Sequence, residues 1–572
     1  MQIHQQRRRQ DPHFPRPSRS TPRPNRRLWR LRSRPTPFHR SPHRGPDPRR
    51  LRRRRPPRRR LPHRLLPSPQ DLRNRRLRSP SPSSPFRLRR AAHLITDKDY
   101  LDKFKLAIFR MKNLPDSDPR SFKNQANVHC AYCDGAYDQV GFPDLELQRI
   151  LGKLIEDDSF AIPFWNWDHP DGMKMPSIYT DPSSSLFDKL RDAKHQPPTL
   201  IDLDYNREDP DYTDKEQIDH NLRIMHRQLV STARTPELFM GLPYRAGDQP
   251  NPGSGSLENV PHGPVHVWTG DRCQPNGENM GTFYAAGRDP IFYAHHANVD
   301  RMWDVWKAIN KKKHKDFTDK DWLDTSFLFY DENKRPVRVR VRDALEPGVM
   351  RYGYEQVPLP WLKTKPLVKL ARSTKEARGR KLEEHVEADV AASFPLKLKM
   401  AVSVTVKRPK VSRSAAEKEE AEEVLVVDGI EFSRDEYVKI DVYVNSAGHE
   451  EKVSPGGREL IGSFVSVPHK HKHDKKEKPI TTSLRLGLSE FLEETGAEGD
   501  ESIVVSLVPR KGKSKIKIGG LKIEVRHIHV DTCSDRSTVS VVLVKHSSTG
   551  PLSTLIQTVR RTFVVSVKNT FD

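Results

Sequence analysis

Cysteine is scarce: Cys130, Cys133, Cys273 and Cys533 are the only four in 572 residues, too few for a disulfide framework. Cys130 and Cys133 stand beside His129 in VHCAYCDGAYD, a lone CxxC compatible with redox, structural or metal-binding use. No apolar run reaches the roughly 18 residues of a transmembrane helix, and no secretory apolar stretch follows the first residues. Lysine is missing altogether from residues 1–90, where arginine occurs 30 times, proline 18 times, and acids only as Asp11, Asp47 and Asp71. The rest of the chain holds 71 basic and 72 acidic residues, so the formal net charge of +26 belongs to this N-terminal stretch. Lacking hydrophobic periodicity, residues 1–90 read as low-complexity and disordered. Three origins stay open for them. They are a GC-rich stretch read out of frame or a faulty first exon; an Arg-rich organellar transit segment; or an arm attracted non-specifically to nucleic-acid phosphates. The near-neutral remainder gives no reason to expect a specific nucleic-acid partner.

That remainder is long enough for two or three domains. Over 93–115, Leu101, Phe104, Ile108 and Met111 recur at helical spacing before Pro115, which predicts a helix. A turn leading into a helix is expected within Phe122 to Tyr137, and helical sequence over 149–156 and 218–235. FAIPFWNWDHPDGM reads as a buried aromatic loop, 245–260 as a Gly/Pro/Asn-rich loop, and further helices start at Pro261 and Pro290. Residues 91–320 are therefore expected to form a mainly α domain with few strands. Residues 369–395 are charged and linker-like. Short segments of period two follow, among them KMAVSVTVKR, EEVLVVDGIEF and YVKIDVYVNS. They predict an antiparallel β-sandwich over 396–526. The atypical tail, 527–572, holds VSVVLV and FVVSV runs that are strands or extraneous sequence.

The chemistry concentrates in ENVPHGPVHVWTGD and MGTFYAAGRDPIFYAHHANVDRMWDVW. His262 and His266, four apart, share one helical face, with Pro261 suited to the first helical position. His295 and His296 follow Asp289-Pro290, a cap-then-proline helix start. Three neutral imidazoles suit copper; their remaining ring nitrogens need acceptors, for which Asp300 is a candidate. A zinc-protease HExxH is excluded because residue 263 is Gly.

These blocks resemble the second copper site of the tyrosinase, catechol oxidase and haemocyanin family in its plant polyphenol oxidase form. The resemblance implies a helical di-copper domain followed by a C-terminal sandwich that covers the copper cleft. It also implies oxidation of small o-diphenols to o-quinones with O2, and residence in the plastid thylakoid lumen, although no clear transit peptide is legible. By the same resemblance His262, His266 and His296 bind the second copper (copper B) and His295 is their neighbour. Phe283 is the aromatic gate, Gly263 and Val267 line the substrate mouth, and Glu258 holds a water. QANVHCAYCDGAYDQ resembles the first copper motif (copper A), making His129 a ligand, Cys133 the cysteine that forms a thioether, and Cys130 a disulfide partner for an upstream cysteine. DWLDTSFLFYDEN and the tyrosines Tyr352 and Tyr354 resemble the family's middle segment, 321–368, and VKIDVYV its third domain, with Ile440 in place of Phe. Cleavage near the linker is expected to release the cover.

The sequence departs from that family in one place that matters. FPDLELQ ends at Gln148 and RILGKLI begins at Arg149, where the family carries about 19 more residues with two copper ligands. His169, His195, His220 and His226 are expected to be ordinary packing residues rather than substitutes, and the HKHKH run (His469, His471, His473) a solvent-facing loop. Two expectations result: a catechol oxidase with two coppers, or an impaired relative that keeps only copper B. An oxygen-carrier-like member and a basic binding protein are the remaining readings.

Overall fold

The computed structural model describes residues 85–132, 142–243, 252–366, 394–446, 457, 459–469, 479–512 and 516–528, all within the compact unit Arg64–Asp572. The Arg/Pro-rich stretch up to 84, Cys133, most of the linker, His471, His473, Cys533 and the tail beyond 528 lie outside the described residues.

The first strand, β1 (Arg87–Arg89), runs parallel to β4 (Tyr352–Tyr354), so the folded chain starts before the expected boundary at 91. The Arg89 side chain is fully buried, stacked on the Tyr352 ring at 4.4 Å. An arginine reads as solvated in isolation; here Gln148, Tyr354 and Asp300 accept its protons. Helix α1 spans Lys98–Lys112 rather than starting at 93, because Asp97 caps it by accepting from the backbone of Asp99 and Tyr100. Its buried stripe is Phe104, Ala107, Ile108 and Met111. Helix α2 covers Phe122–Tyr132. Helix α3, Phe142–Ile155, runs without interruption through Gln148 and Arg149. The joint keeps helical phase: Leu147, Ile150 and Leu151 are buried, and Arg149 grips Glu332 with two bonds of 3.1 Å. Helix α4, Asp214–His226, starts at a Thr213/Glu216 capping box.

Helix α5 is Gly263–Thr269. Pro261 is not its first residue, as expected from sequence, but lies in the preceding turn Glu258–His262, where Val260 is extended and the Val260–Pro261 bond is cis. Helix α6, Ile291–Ile309, is fixed at its start by Asp289, which accepts from the Ile291 N–H at 3.0 Å. Asp289 is itself held by two bonds of 2.6–2.8 Å from fully buried Arg191. Ser326–Tyr330 (β2) and Pro336–Arg340 (β3) form a hairpin beyond α6.

After the linker the chain forms an antiparallel sandwich. One sheet joins β10 (Pro479–Gly487), β7 (Ala421–Ser433), β12 (Lys517–Ile518) and β5 (Leu396–Lys397), with β13 (Gly520–His527) also on β7. The other runs β6 (Val402–Lys407), β11 (Ser502–Lys511), β8 (Val438–Val444) and β9 (Leu460–Ser466). Alternate residues such as Val404, Val442, Phe464 and Leu486 fill the space between the sheets. The mainly α unit followed by an antiparallel sandwich is the fold class read from the sequence. Strand β9 lies over α5: Val465 and Val467 belong to the core of the helical unit.

Candidate metal centre

Two helices and four histidines make the centre. The one-turn spacing on α5 and the turn before it sets the Nε2 atoms of His262 and His266 3.1 Å apart, and α6 brings His296 Nε2 to 3.4 and 3.1 Å from them. Three donors at the corners of such a triangle lie about 1.9 Å from its centre, so an ion just off their plane makes bonds of about 2.0–2.1 Å, the length of a metal–imidazole bond. The residues present therefore fit a metal with a preference for imidazole, copper among them. His295 completes the group of four, whose donor atoms all lie within 4.8 Å of one another.

Hydrogen bonds separate His262 and His266 from His295, while His296 Nδ1 is buried without a partner. His266 Nδ1 donates to the Met280 carbonyl at 3.0 Å, which leaves its Nε2 lone pair facing the triangle. His262 is supported likewise by the Glu258 backbone. The indole N–H of Trp167, in contrast, donates to His295 Nδ1 at 3.1 Å. That puts the His295 proton on Nε2, beside the His262 backbone, so this ring stacks on His262 at 5.4 Å without offering Nε2 as a ligand. Burial pulls His262 down to about 4 and moves His266, His295 and His296 well below the ordinary histidine value, with neighbouring imidazoles adding to the shift for all but His262. Neutral rings are what a metal requires.

His129, on α2, approaches this group without joining it. Its ring lies 6.3 Å from His296 and 4.7 Å from Phe292, its Nδ1 is buried without a hydrogen-bond partner, and burial lowers its pKa to about 4. Cys130 follows it, half-buried. Glu258 opens the turn that carries His262. Gly263 begins α5 against the sandwich: a Cβ there would stand 2.8 Å from Val465 Cγ1. Val267 is buried on the same helix.

Phe283 packs on the ring of His469 at 5.5 Å, and its N–H donates to the Pro468 carbonyl at 3.2 Å. The solvent-facing reading of the HKHKH run is thus corrected at its first residue. His469 is 6% exposed, because the segment after β9 packs it against Phe283 before the run of charges begins.

Asp300 also departs from expectation. It accepts from Tyr352 at 2.8 Å, from Tyr354, and from Arg89 at 3.5 Å, so it ties α6 to β1 and β4 and orients no ligand. The histidine orienters come from distant segments, Trp167 and Met280, which a local motif search misses; only the aromatic density of FWNWD hinted at the first. His169, His195, His220 and His226 stay outside the group. His195 stacks on Trp268 at 4.4 Å, His226 bonds the Trp361 carbonyl at 3.1 Å, His220 lies 3.9 Å from Asp202, and His169 faces His93.

The chain is similar to known proteins over most of its length. Residues 143–309 match the common central domain of tyrosinase, 316–367 the polyphenol oxidase middle domain, and 394–525 the chloroplastic polyphenol oxidase C-terminal domain. The chain is 53% identical over 473 residues to the chloroplastic polyphenol oxidase of Malus domestica, covering 78% of each. It is 51% identical over 481 residues to polyphenol oxidase A1 of Vicia faba, covering 77% of each. Among solved structures, latent apple tyrosinase is similar with a TM-score of 0.71 and 51% identity, over 79% of this chain and 99% of that one. Latent aurone synthase gives 0.71 and 38%, over 79% and 92%.

Proposed function

The chain belongs to the plant polyphenol oxidases, copper oxidases of the tyrosinase family, and we propose that its site is shaped for o-diphenols oxidised to o-quinones, while this polypeptide secures a single copper. The observation that carries the single-ion reading is the contrast between two halves of one site. His262, His266 and His296 converge to 3.1–3.4 Å, whereas His129 belongs to no group of three or more metal-binding side chains among the described residues.

His262, His266 and His296 would hold a copper that supplies one-electron redox chemistry, half of what oxidation of a diphenol by O2 requires. The chain's own groups do the rest. The three histidines present neutral nitrogens, that of His266 fixed by its bond to the Met280 carbonyl, and Trp167 keeps His295 from competing as a ligand. Phe283 guards the approach, with Gly263 and Val267 lining the mouth where an aromatic ring would enter and Glu258 placed to hold a water. His129, Cys130 and Cys133 are the remnant of the other half-site. The sandwich, seated on Gly263 and Phe283, acts as the cover. The domain limits proposed are 85–320, 321–368 and 396–527, with the intervening 369–395 as the cleavable link. Relatives named as chloroplastic support a plastid address, within which we place the protein in the thylakoid lumen. Among the described residues no helix is long and apolar enough to cross a membrane.

Copper analysis together with electron paramagnetic resonance tests this. One copper per chain with an ordinary mononuclear Cu(II) signal is expected, abolished in His266→Ala and His296→Ala, with catechol turnover at background. Two coppers per chain, a silent coupled spectrum and rapid turnover would overturn the single-ion reading and leave the family membership standing.

A further inference from the structure

Two turns meet where the chain first packs onto the helical unit. His93 sits in the turn Ala92–Leu94, and His169 opens the turn Pro170–Gly172. Backbone bonds hold the two segments together: the Ala92 N–H donates to the Phe164 carbonyl and the Phe164 N–H to the Arg90 carbonyl, each at 2.9 Å. The second turn is tight, since a Cβ on Gly172 would stand 2.1 Å from the Asn166 carbonyl oxygen. The imidazoles of His93 and His169 stack at 6.0 Å with planes 14° apart. Asp171 Oδ2 lies 3.7 Å from His169 Nδ1, which accepts the Asp171 N–H at 3.3 Å, and one donor atom from each of the three residues falls within 4.8 Å of the other two. His93 Nδ1 is buried and has no hydrogen-bond partner. Burial first, and the nearby His169 second, keep His93 below the ordinary histidine pKa, so its ring is neutral near neutral pH.

We propose that His93, His169 and Asp171 form a second metal site, for a borderline divalent cation such as Zn(II), that fastens the start of the folded chain to the aromatic loop of Trp165 and Trp167. Two imidazole nitrogens and a carboxylate oxygen are a donor set that zinc accepts with water in the fourth position. Donors around a tetrahedral ion with bonds of about 2.0–2.1 Å stand about 3.4 Å apart, so three donors within 4.8 Å of one another draw together by at most about 1.4 Å, His169 exchanging its bond from the Asp171 N–H for the ion. The Asp171 side chain is 78% exposed and turns inward without disturbing the core. An ion here satisfies the stranded His93 nitrogen. Residues 1–92 contain no cysteine and can form no disulfide. A metal joining residue 93 to residues 169–171 closes that loop in the same way a covalent bridge does, by restricting the unfolded chain.

Calorimetric titration of the metal-free, full-length chain with Zn2+ tests the site. Two equivalents are expected, one at the three-histidine centre and one here. His266→Ala removes only the first, whereas His93→Ala and Asp171→Asn each weaken the second at least tenfold and leave the first unchanged. Occupancy of the second site raises Tm by about 3 °C at a hundredfold excess over Kd, a shift lost in Asp171→Asn. A single equivalent in the unaltered chain, or a second that survives both His93→Ala and Asp171→Asn, overturns the proposal. Because Asp171 is exposed, its variant decides the matter even if His93→Ala does not fold.

Discussion

His262 holds its imidazole at a pKa of about 4 when folded, against about 6.5 in an unfolded chain. Between those values the unfolded state binds the extra proton, so stability rises with pH there. The contribution is complete above about 6.5 and is lost as pH falls toward 4. One pKa unit corresponds to about 1.4 kcal/mol, so His262 alone accounts for about 3 kcal/mol over the window. His266, His295 and His296 are displaced in the same direction. Urea unfolding of the metal-free chain is therefore expected to show a midpoint that falls steadily from pH 6.5 to pH 4. His262→Leu should flatten that slope by about one proton, or 1.4 kcal/mol per pH unit; an unchanged slope would mean that this ring does not stay neutral in the fold.

At the scale of elements, α6 depends on its first turn. Arg191 and Asp289 are both 1% exposed and pair through two bonds. Arg191 also donates to the carbonyls of Tyr179 and Leu186, so one side chain joins a long loop to the helix bearing His295 and His296. Arg191→Met strands a buried carboxylate and is expected to cost about 3–5 kcal/mol, whereas Arg191→Met with Asp289→Leu should recover most of that loss. Chemical denaturation of the three proteins gives the comparison. Helix α3 keeps one buried face through Gln148–Arg149, with Leu147, Ile150 and Leu151 on it and no break in helical periodicity.

For the molecule as a whole, the contact between sandwich and helices rests on few buried polar pairs. Lys439, on β8, is fully buried and reaches Asp204 of the helical unit at 2.8 Å, and Asn259 Oδ1 accepts from the Val465 N–H at 2.9 Å. Against the release expected from the sequence, a chain cleaved within 369–393 is expected to keep both parts together on size exclusion, because this interface is packed and Lys439 is paired across it. Lys439→Met leaves Asp204 buried without its cation and should release the sandwich after the same cleavage. Gly263→Ala drives a methyl against Val465 Cγ1 at 2.8 Å. It should loosen the cover and admit small chelators to the centre faster, an effect that Val465→Ala reverses by removing the opposing methyl.

The sequence by itself determined what depends on short-range periodicity: the one-turn spacing of His262 and His266, the helix that carries His295 and His296, and the period-two strands of the sandwich. Four-residue spacing on a helix fixes where His262 and His266 point, wherever the helix goes. Only the tertiary structure decided what joins residues far apart. Trp167 reaches His295 across 128 positions, Asp300 turns away from the ligands toward Tyr352 and Tyr354, and Arg89 leaves a basic tract to become core. The physical reason is that hydrogen-bond satisfaction and burial are settled by whichever segment arrives opposite a side chain. A lysine- and histidine-rich run can therefore begin with a buried residue, His469, when the segment after β9 packs it against Phe283.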